Sequence, residues 1–142
     1  MAYKSVVLAN GCFDILHYGH LCHLSAARGM GSELHVAITK DEFVNKGPNK
    51  PVFTLEHRIE VMSAITYISR VIASHHPNGI QSLETVKPNK YFKDVEYRDS
   101  THPGFLIEKA FCQQNSIELI FTEEAGYSSS AAIRRMRDVA NG

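Results

Sequence analysis

The fold of this chain is decided by residues 10–20, which read Asn10-Gly11-Cys12-Phe13-Asp14-Ile15-Leu16-His17-Tyr18-Gly19-His20. Before this stretch, residues 4–10 are mostly apolar and β-branched, which predicts a buried strand ending at Asn10. After it, apolar residues recur at three-residue steps, at Leu21, Leu24, Ala27 and Met30. They predict one buried face of a helix from Gly19 to about Met30, with Gly29 and Gly31 as its stop signals.

Strands and helices alternate along the rest of the chain. The pattern predicts further strands at 33–39, 71–73, 91–92 and 117–121, and further helices starting at Thr54, Ile80, Pro103 and Ser128. This alternation predicts an α/β fold, a doubly wound parallel sheet of five strands with helices on both faces. Ligands of such sheets bind beyond the carboxyl ends of the strands, where the strand order reverses. We therefore expect the functional site at residues 10–20.

Length and charge place limits on the function. The 142 residues correspond to one domain, residues 1–142. Fifteen basic and fifteen acidic residues cancel, so no overall basic field is available to attract a nucleic acid or an anionic membrane. The longest early apolar run, Val6–Ala9, is too short for a signal peptide or a membrane span.

The three cysteines, Cys12, Cys22 and Cys112, are odd in number and widely separated. They do not form a disulfide framework, and we expect a reducing, cytoplasmic location. Cys22 and Cys112 are expected in the core, on helix faces. His75-His76 precedes Pro77-Asn78-Gly79, which predicts a solvated turn.

The residues after the first strand are suited to binding a phosphate. Gly11 allows a turn off the strand, and Gly19 allows close approach to the start of the helix. His17 and His20 flank that start, where unpaired N–H groups and the helix dipole favour an anion. Two imidazole donors there make a preorganised site for growing negative charge. The structural alternative is that these histidines cap the helix or pack in the core.

A metal site is a second alternative for the same residues. His17, His20 and His23 are spaced by three residues, and two cysteines lie near them. Only His20 and His23 share a helical face, and no second ligand cluster follows in the sequence. We therefore expect no bound structural metal.

Several motifs resemble the cytidylyltransferase-like nucleotidyltransferases. Gly11-Cys12-Phe13-Asp14 and His17-Tyr18-Gly19-His20 resemble the family signature. Lys46-Gly47, Lys50-Pro51-Val52 and Glu56-His57-Arg58 resemble the heptose-1-phosphate adenylyltransferase branch, and glycerol-3-phosphate cytidylyltransferases are similar but less so through Pro51-Val52. Gly126-Tyr127-Ser128-Ser129-Ser130, followed by Ile133, resembles the family's last helix start. The resemblance implies a Rossmann-like fold and covers nearly the whole chain.

The resemblance implies a reaction in which an acceptor phosphate attacks the α-phosphate of a nucleoside triphosphate and pyrophosphate leaves. It implies that His17, His20 and Lys46 are catalytic. It assigns nucleotide binding to Asn10, Gly11, Cys12, Phe13, Gly19, His20, Lys93, Glu96, Ser128, Ser129 and Ser130. It assigns acceptor binding to Asp14, Asp41 and Arg58. The aspartates would contact acceptor hydroxyls or a metal, with turn capping as the structural alternative, and Arg58 would orient a phosphate or the helix that carries it, with a surface ion pair as the alternative. Mg²⁺ is expected with ATP or CTP, the acceptor is a phosphorylated sugar or polyol, and the protein is expected to be a homodimer.

One segment departs from the resembled branch. Lys93-Asp94-Val95-Glu96-Tyr97 stands where that branch has Lys-Gly-Gly-Asp-Tyr, a stretch that the resemblance places beside the base and ribose. Glu96 keeps a carboxylate that can accept a hydrogen bond from a ribose hydroxyl or an exocyclic amine. This predicts ATP or CTP in preference to UTP, with ATP favoured. The loss of both glycines leaves a non-catalytic nucleotide-binding module as an alternative.

Overall fold

Five strands and four helices alternate along the residues described by the computed structural model, which are 4–44, 50–122 and 135–140. The strands are β1 Val6–Gly11, β2 Glu33–Thr39, β3 Arg70–Ser74, β4 Lys90–Lys93 and β5 Glu118–Phe121. The helices are α1 Tyr18–Arg28, α2 Leu55–Ser63, α3 Ile80–Val86 and α4 Pro103–Gln114. Single 3₁₀ turns cover Asp41–Phe43 and Val95–Tyr97, and residues 135–140 are helical.

The strands form one parallel sheet in the order β3-β2-β1-β4-β5, which confirms the predicted doubly wound fold. Val7 of β1 pairs with Leu34 of β2 on one side and with Lys90 of β4 on the other. The strand order reverses between β1 and β4. The carboxyl ends of these two strands, at Gly11 and Lys93, therefore border the crevice where such sheets bind ligands.

Helices cover both faces of the sheet. On one face, α1 and α2 pack Leu24, Ala27 and Met62 against side chains of β1, β2 and β4. On the other face, α3 and α4 pack Leu83 and Cys112 against Leu8, Ala37 and Tyr91. None of the helices in these described ranges is long and apolar enough to cross a bilayer.

The predicted buried face of α1 is partly wrong. Leu24 and Ala27 are fully buried, but Leu21 is 41% exposed and Met30 is 42% exposed. A three-residue step advances 300° around a helix of 3.6 residues per turn, so the successive positions drift away from one face. Met30 lies beyond the end of the helix, because α1 stops at Arg28. Cys22 is exposed, contrary to prediction, whereas Cys112 is buried as expected.

Helix starts follow the sequence signals closely. Thr54 is the N-cap of α2, and its hydroxyl accepts the His57 N–H at 3.3 Å. Pro103 occupies the first turn of α4 as predicted. His75 and His76 are exposed, as expected for a solvated turn. The predicted start of the last helix at Ser128 lies outside the described residues.

Candidate active site

The two histidines of the signature close the first turn of α1 through hydrogen bonds to the backbone. His17 is the N-cap residue, and its Nδ1 accepts the Gly19 N–H at 3.1 Å. The Nδ1 of His20 accepts the His17 N–H at 3.3 Å. The two ring centroids lie 4.0 Å apart. This reciprocal pair is a capping box in which both capping side chains are imidazoles.

Capping determines which ring nitrogen carries the proton. Because each Nδ1 accepts an N–H, a neutral ring has its proton on Nε2. Burial lowers the pKa of His17, which favours the neutral ring at pH 7. The Nε2 of His17 is buried and has no hydrogen-bond partner among the described residues. The capping alternative and a phosphate-binding role are therefore compatible, because capping uses one nitrogen and leaves the other as a donor.

His23 packs against β4. Its ring packs against Phe92 of β4 with the centroids 4.8 Å apart, and burial lowers its pKa. Within residues 4–44, 50–122 and 135–140, no three His, Cys, Asp or Glu side chains come together as metal ligands. The arrangement therefore offers no protein-only metal cage of the kind considered from the histidine spacing.

Glycines allow the signature loop to fold tightly. A Cβ on Gly11 would lie 3.0 Å from Cε2 of Phe13, so the Phe13 ring packs directly over that position. Phe13 has a φ of 49°, in the left-handed region that side chains rarely adopt. Gly19 is buried, and its N–H is the donor to the His17 cap. Of the expected nucleotide-binding residues, Gly11 and Phe13 thus pack together at the end of β1, and Gly19 lies in the first turn of α1.

Asp14 holds the loop that precedes α2. Its two carboxylate oxygens accept the N–H groups of Val52, at 2.7 Å, and of Phe53, at 2.9 Å. This is the capping role that the sequence left open beside acceptor binding. A cavity of about 490 Å³ adjoins Asp14, and its lining includes Phe13, Phe53 and Val61.

Every guanidinium nitrogen of Arg58 donates to a protein group, which agrees with the ion-pair alternative, and its contact with the acceptor stays a prediction. Its side chain has 0% exposure. Nε donates to the Phe53 carbonyl at 3.0 Å, and Nη1 donates to the carbonyls of Cys12 at 2.9 Å and Thr39 at 2.7 Å. Nη2 donates to the Asp41 carboxylate, which is 46% exposed. All three guanidinium nitrogens therefore bind protein groups, on four residues from three segments of the chain.

Lys46 and Ser128, Ser129 and Ser130 lie outside the described residues, so their expected roles stay predictions. Lys46 belongs to the segment 45–49, here called the Lys46 segment. The described residues on both sides of it are nevertheless held by hydrogen bonds. Arg58 binds Asp41 before the segment and the Phe53 carbonyl after it. Asp14 binds the N–H groups of Val52 and Phe53.

The segment that departs from the resembled branch forms a capped 3₁₀ turn. Asp94 accepts the Glu96 N–H at 3.0 Å, and the Val95 N–H donates to the Thr122 hydroxyl at 2.8 Å. Glu96 itself is exposed. Leaving an exposed acceptor without a hydrogen-bond partner costs less free energy than leaving a buried acceptor without one. Glu96 can therefore discriminate between nucleotide bases only where the bound nucleotide covers its carboxylate.

Lys93, expected to bind the nucleotide, is buried at the end of β4. Its ammonium lies 3.8 Å from Oε1 of Glu108 and 4.1 Å from the centroid of the Tyr97 ring. Burial lowers the pKa of Lys93, and the neighbouring Glu108 carboxylate partly offsets this. The Tyr91 hydroxyl donates to the same carboxylate oxygen. The side chain is thus held inside the protein at the border of the crevice.

Sequence analysis missed Glu108, which is 6% exposed on α4. The buried residues of α4 are Phe105, Glu108 and Cys112. Their three- and four-residue spacing marks one helical face. The available signal was a carboxylate on the apolar face of a helix, in line with Phe105 and Cys112.

Gly79 lies against this buried polar group. An added Cβ would lie 2.6 Å from Tyr91 Oη, 2.8 Å from Asn10 Nδ2 and 3.0 Å from Glu108 Oε1. We expect Gly79→Ala to lower the free energy of unfolding by about 1–3 kcal/mol, measured by urea denaturation, because the methyl overpacks the cluster. Gly29→Ala is the matched control, since its Cβ would meet nothing closer than 3.5 Å. Equal stability of the two variants would contradict this expectation.

Comparison with known proteins gives consistent results along the chain. A model of the cytidylyltransferase-like family matches residues 8–135. A protein named "Bifunctional protein HldE" from Alcanivorax borkumensis is 37% identical over 137 residues, which are 95% of this chain and 28% of that protein. Its namesake from Coxiella burnetii is 32% identical over 135 residues, 94% of this chain and 28% of that protein. The chain therefore spans just over a quarter of the length of these relatives.

Solved structures share the fold. A lipopolysaccharide core biosynthesis protein from Thermoplasma volcanium superposes with a TM-score of 0.72 at 24% identity, covering 89% of this chain and all of the other. Pantoate-beta-alanine ligase from Francisella tularensis superposes with a TM-score of 0.60 at 12% identity, covering 91% of this chain and 65% of that one. At these identities the similarity concerns the architecture alone.

Proposed function

The chain belongs to the cytidylyltransferase-like family, and on that premise we propose that it is a nucleotidyltransferase. It transfers a nucleoside monophosphate from ATP or CTP to a phosphorylated sugar or polyol and releases pyrophosphate. A sugar 1-phosphate adenylyltransferase is the form favoured by the sequence of residues 46–58, with CTP as the alternative nucleotide. The observation that carries the proposal is the imidazole capping box, which leaves the proton of each neutral ring on Nε2 at the N-terminus of α1.

The reaction requires charge stabilisation more than proton transfer. An acceptor phosphate is already ionised at neutral pH, so its oxygen attacks the α-phosphorus without a general base. One P–O bond forms to the acceptor, and the bond from the α-phosphorus to the bridging oxygen breaks as pyrophosphate leaves with the electron pair. The charge on the α-phosphate oxygens grows in the transition state. The Nε2–H groups of His17 and His20 would donate to these oxygens, and positioning supplies the remainder of the rate enhancement.

Lys46 is proposed to act on the triphosphate, and Ser128, Ser129 and Ser130 on its β- and γ-phosphates. A lysine ammonium is a compact charge on a flexible stem, suited to a phosphate that it must reach. The observation that supports this role of Lys46 is that Asp14 and Arg58 hold the residues on both sides of the Lys46 segment by hydrogen bonds. Hydroxyl groups and N–H groups at a helix start are suited to phosphate oxygens.

Mg²⁺ is proposed to enter with the triphosphate as part of the substrate. The described residues contain no cluster of three protein ligands for a metal. Mg²⁺ prefers phosphate oxygens and water to an all-protein cage, and it would neutralise phosphate charge when bound. Among the described residues, the chain contributes the pair of imidazole donors, His17 and His20, to the binding of the phosphates.

The experiment combines each of the four nucleoside triphosphates with a panel of phosphorylated sugars and polyols and measures pyrophosphate release. We expect ATP or CTP to exceed UTP by about tenfold or more in kcat/KM, equivalent to about 1.4 kcal/mol, because adenine and cytosine offer an exocyclic amine to a carboxylate such as Glu96 and uracil does not. Glu96→Gln is expected to narrow this preference, since an amide both donates and accepts. Nucleotide binding without pyrophosphate release from any pair would instead identify a non-catalytic nucleotide-binding module.

A further inference from the structure

A buried polar cluster connects the ends of β1 and β4 at the point where the strand order reverses. It consists of Asn10 on β1, Tyr91 and Lys93 on β4, and Glu108 on α4. The Tyr91 hydroxyl, Asn10 Nδ2 and Glu108 Oε1 all converge on the Cα of Gly79, as the three short distances to an added Cβ show. Tyr91 is fully buried, and Lys93 and Glu108 are at most 8% exposed. None of these contacts is needed for the proposed chemistry at His17 and His20.

The chemistry of the cluster fixes the direction of its hydrogen bonds. A carboxylate accepts hydrogen bonds, and Oε1 of Glu108 lies 3.8 Å from the Lys93 ammonium. The Tyr91 hydroxyl therefore donates its single proton to Glu108. The Tyr91 oxygen is left as an acceptor, and it is hydrogen-bonded to the Asn10 side chain. The amide nitrogen of Asn10 must be the donor in that contact.

This direction determines how the Asn10 amide is presented. With Nδ2 turned toward Tyr91 and Gly79, Oδ1 points away from the cluster. Asn10 Oδ1 is buried and has no hydrogen-bond partner among the described residues. Buried polar atoms in folded proteins almost always have partners, so an unpartnered acceptor in a ligand crevice indicates a group that a ligand supplies.

We propose that Glu108 is a positioning residue that acts through Tyr91 to present Asn10 Oδ1 as the acceptor for a hydrogen-bond donor of the bound nucleotide. The proposal rests on the proposed function in that the ligand of the crevice is a nucleotide. The donor is an O–H or N–H group, and a nucleoside triphosphate offers such groups on the ribose (2′ and 3′ hydroxyls) and on the base (the exocyclic amine). Glu108 itself touches neither the nucleotide nor the reacting phosphates.

The test measures equilibrium binding of ATP and of three analogues by isothermal titration calorimetry, without any acceptor so that no transfer occurs. The analogues are 2′-deoxy-ATP, 3′-deoxy-ATP and the triphosphate of purine riboside, which lacks the exocyclic amine. We expect the wild-type protein to bind ATP about tenfold more tightly than one of these analogues, which identifies the donor.

The hydrogen-bond chain from Glu108 through Tyr91 to Asn10 is here called the relay. Two variants separate its effect on nucleotide binding from an effect on general stability. Glu108→Gln keeps the shape but can donate to the Tyr91 oxygen, which reverses the chain of hydrogen bonds and turns the Asn10 amide. Tyr91→Phe removes the link altogether. Both variants are expected to reduce the tenfold ratio between the Kd of that analogue and the Kd of ATP to below about twofold. Cys112→Ala, on the same buried face of α4, is the matched control: it removes packing but leaves the relay, so the ratio should stay at its wild-type value.

The outcomes distinguish this inference from the proposed function. A wild-type ratio below twofold for all three analogues, or an unchanged ratio in folded Glu108→Gln and Tyr91→Phe, would overturn the role of Glu108 even if pyrophosphate release is normal. The expected ratios without pyrophosphate release would support the relay and contradict the transferase. A wild-type protein that binds no nucleotide would overturn the relay directly. Circular dichroism and thermal melts establish that each variant is folded.

Discussion

Replacement of His17 by asparagine is expected to lower kcat by about 10²–10³-fold, the effect of removing one transition-state donor. Asparagine is among the best N-cap residues, so its Oδ1 can replace Nδ1 as acceptor for the Gly19 N–H. The variant keeps the cap but has no group at the position of Nε2. Its free energy of unfolding should therefore stay within about 0.5 kcal/mol of wild type. Initial rates and urea denaturation on the same preparation test both expectations.

Alanine variants complete this experiment. His17→Ala should lose both the cap, worth about 1 kcal/mol, and the turnover. His102→Ala is the matched control, because the His102 Nδ1 caps α4 by accepting the Gly104 N–H at 3.1 Å, the same distance as in α1. That variant should lose similar stability and keep its kcat. If His17→Asn turned over at the wild-type rate with a confirmed acceptor, His17 would be a capping residue and nothing more.

The local features of the fold could be predicted because local signals determine them. The strand Glu33–Thr39 and the helix Ile80–Val86 have the predicted bounds. In both, apolar residues recur over a short segment that is bounded by polar residues, Gly or Pro, and these limits are visible in the sequence. The placement of His17 and His20 at a helix start follows from the same signals, since Gly19 and the apolar residues after it define where α1 begins.

Contacts between distant segments could not be predicted in this way. Glu108 and Lys93 are fifteen positions apart, and their pairing depends on how α4 returns over the sheet. A single sequence contains no signal for that distance. The drift of Leu21 out of the buried face has a similar cause, because the position of the sheet decides which side of α1 is covered.

Arg58 illustrates the same limit and has the second large expected effect. From the sequence it is a cation after a helix start that would orient a phosphate or the helix carrying it, with a surface ion pair as the alternative. In the fold, its guanidinium joins the end of β1, the end of β2, the turn at Asp41 and the loop at Phe53. Three of its acceptors are backbone carbonyls. The exposed Asp41 carboxylate can be solvated by water, so its ion pair contributes the least.

We expect Arg58→Ala to lower the free energy of unfolding by about 3–5 kcal/mol, because carbonyls buried by the fold lose their donors and a cavity remains. Arg58→Lys should recover only part of this, since one ammonium cannot donate along the diverging directions of a guanidinium. Arg28→Lys is the matched control, because Arg28 makes one hydrogen bond, to the Gly31 carbonyl at 2.7 Å, and should change stability by under about 1 kcal/mol.

The Arg58 variants also test how the fold supports the site. Where Arg58→Lys remains folded, the flanks of the Lys46 segment lose part of their anchoring, while the capping box at His17 and His20 keeps its own hydrogen bonds. We therefore expect KM for the triphosphate to rise more than kcat falls, measured by initial rates at saturating acceptor. An Arg58→Lys protein with wild-type stability and wild-type KM would show that this buried guanidinium supports neither the fold nor the nucleotide site. The opposite result would make a residue with a fully buried side chain a determinant of substrate binding, through the backbone that it holds.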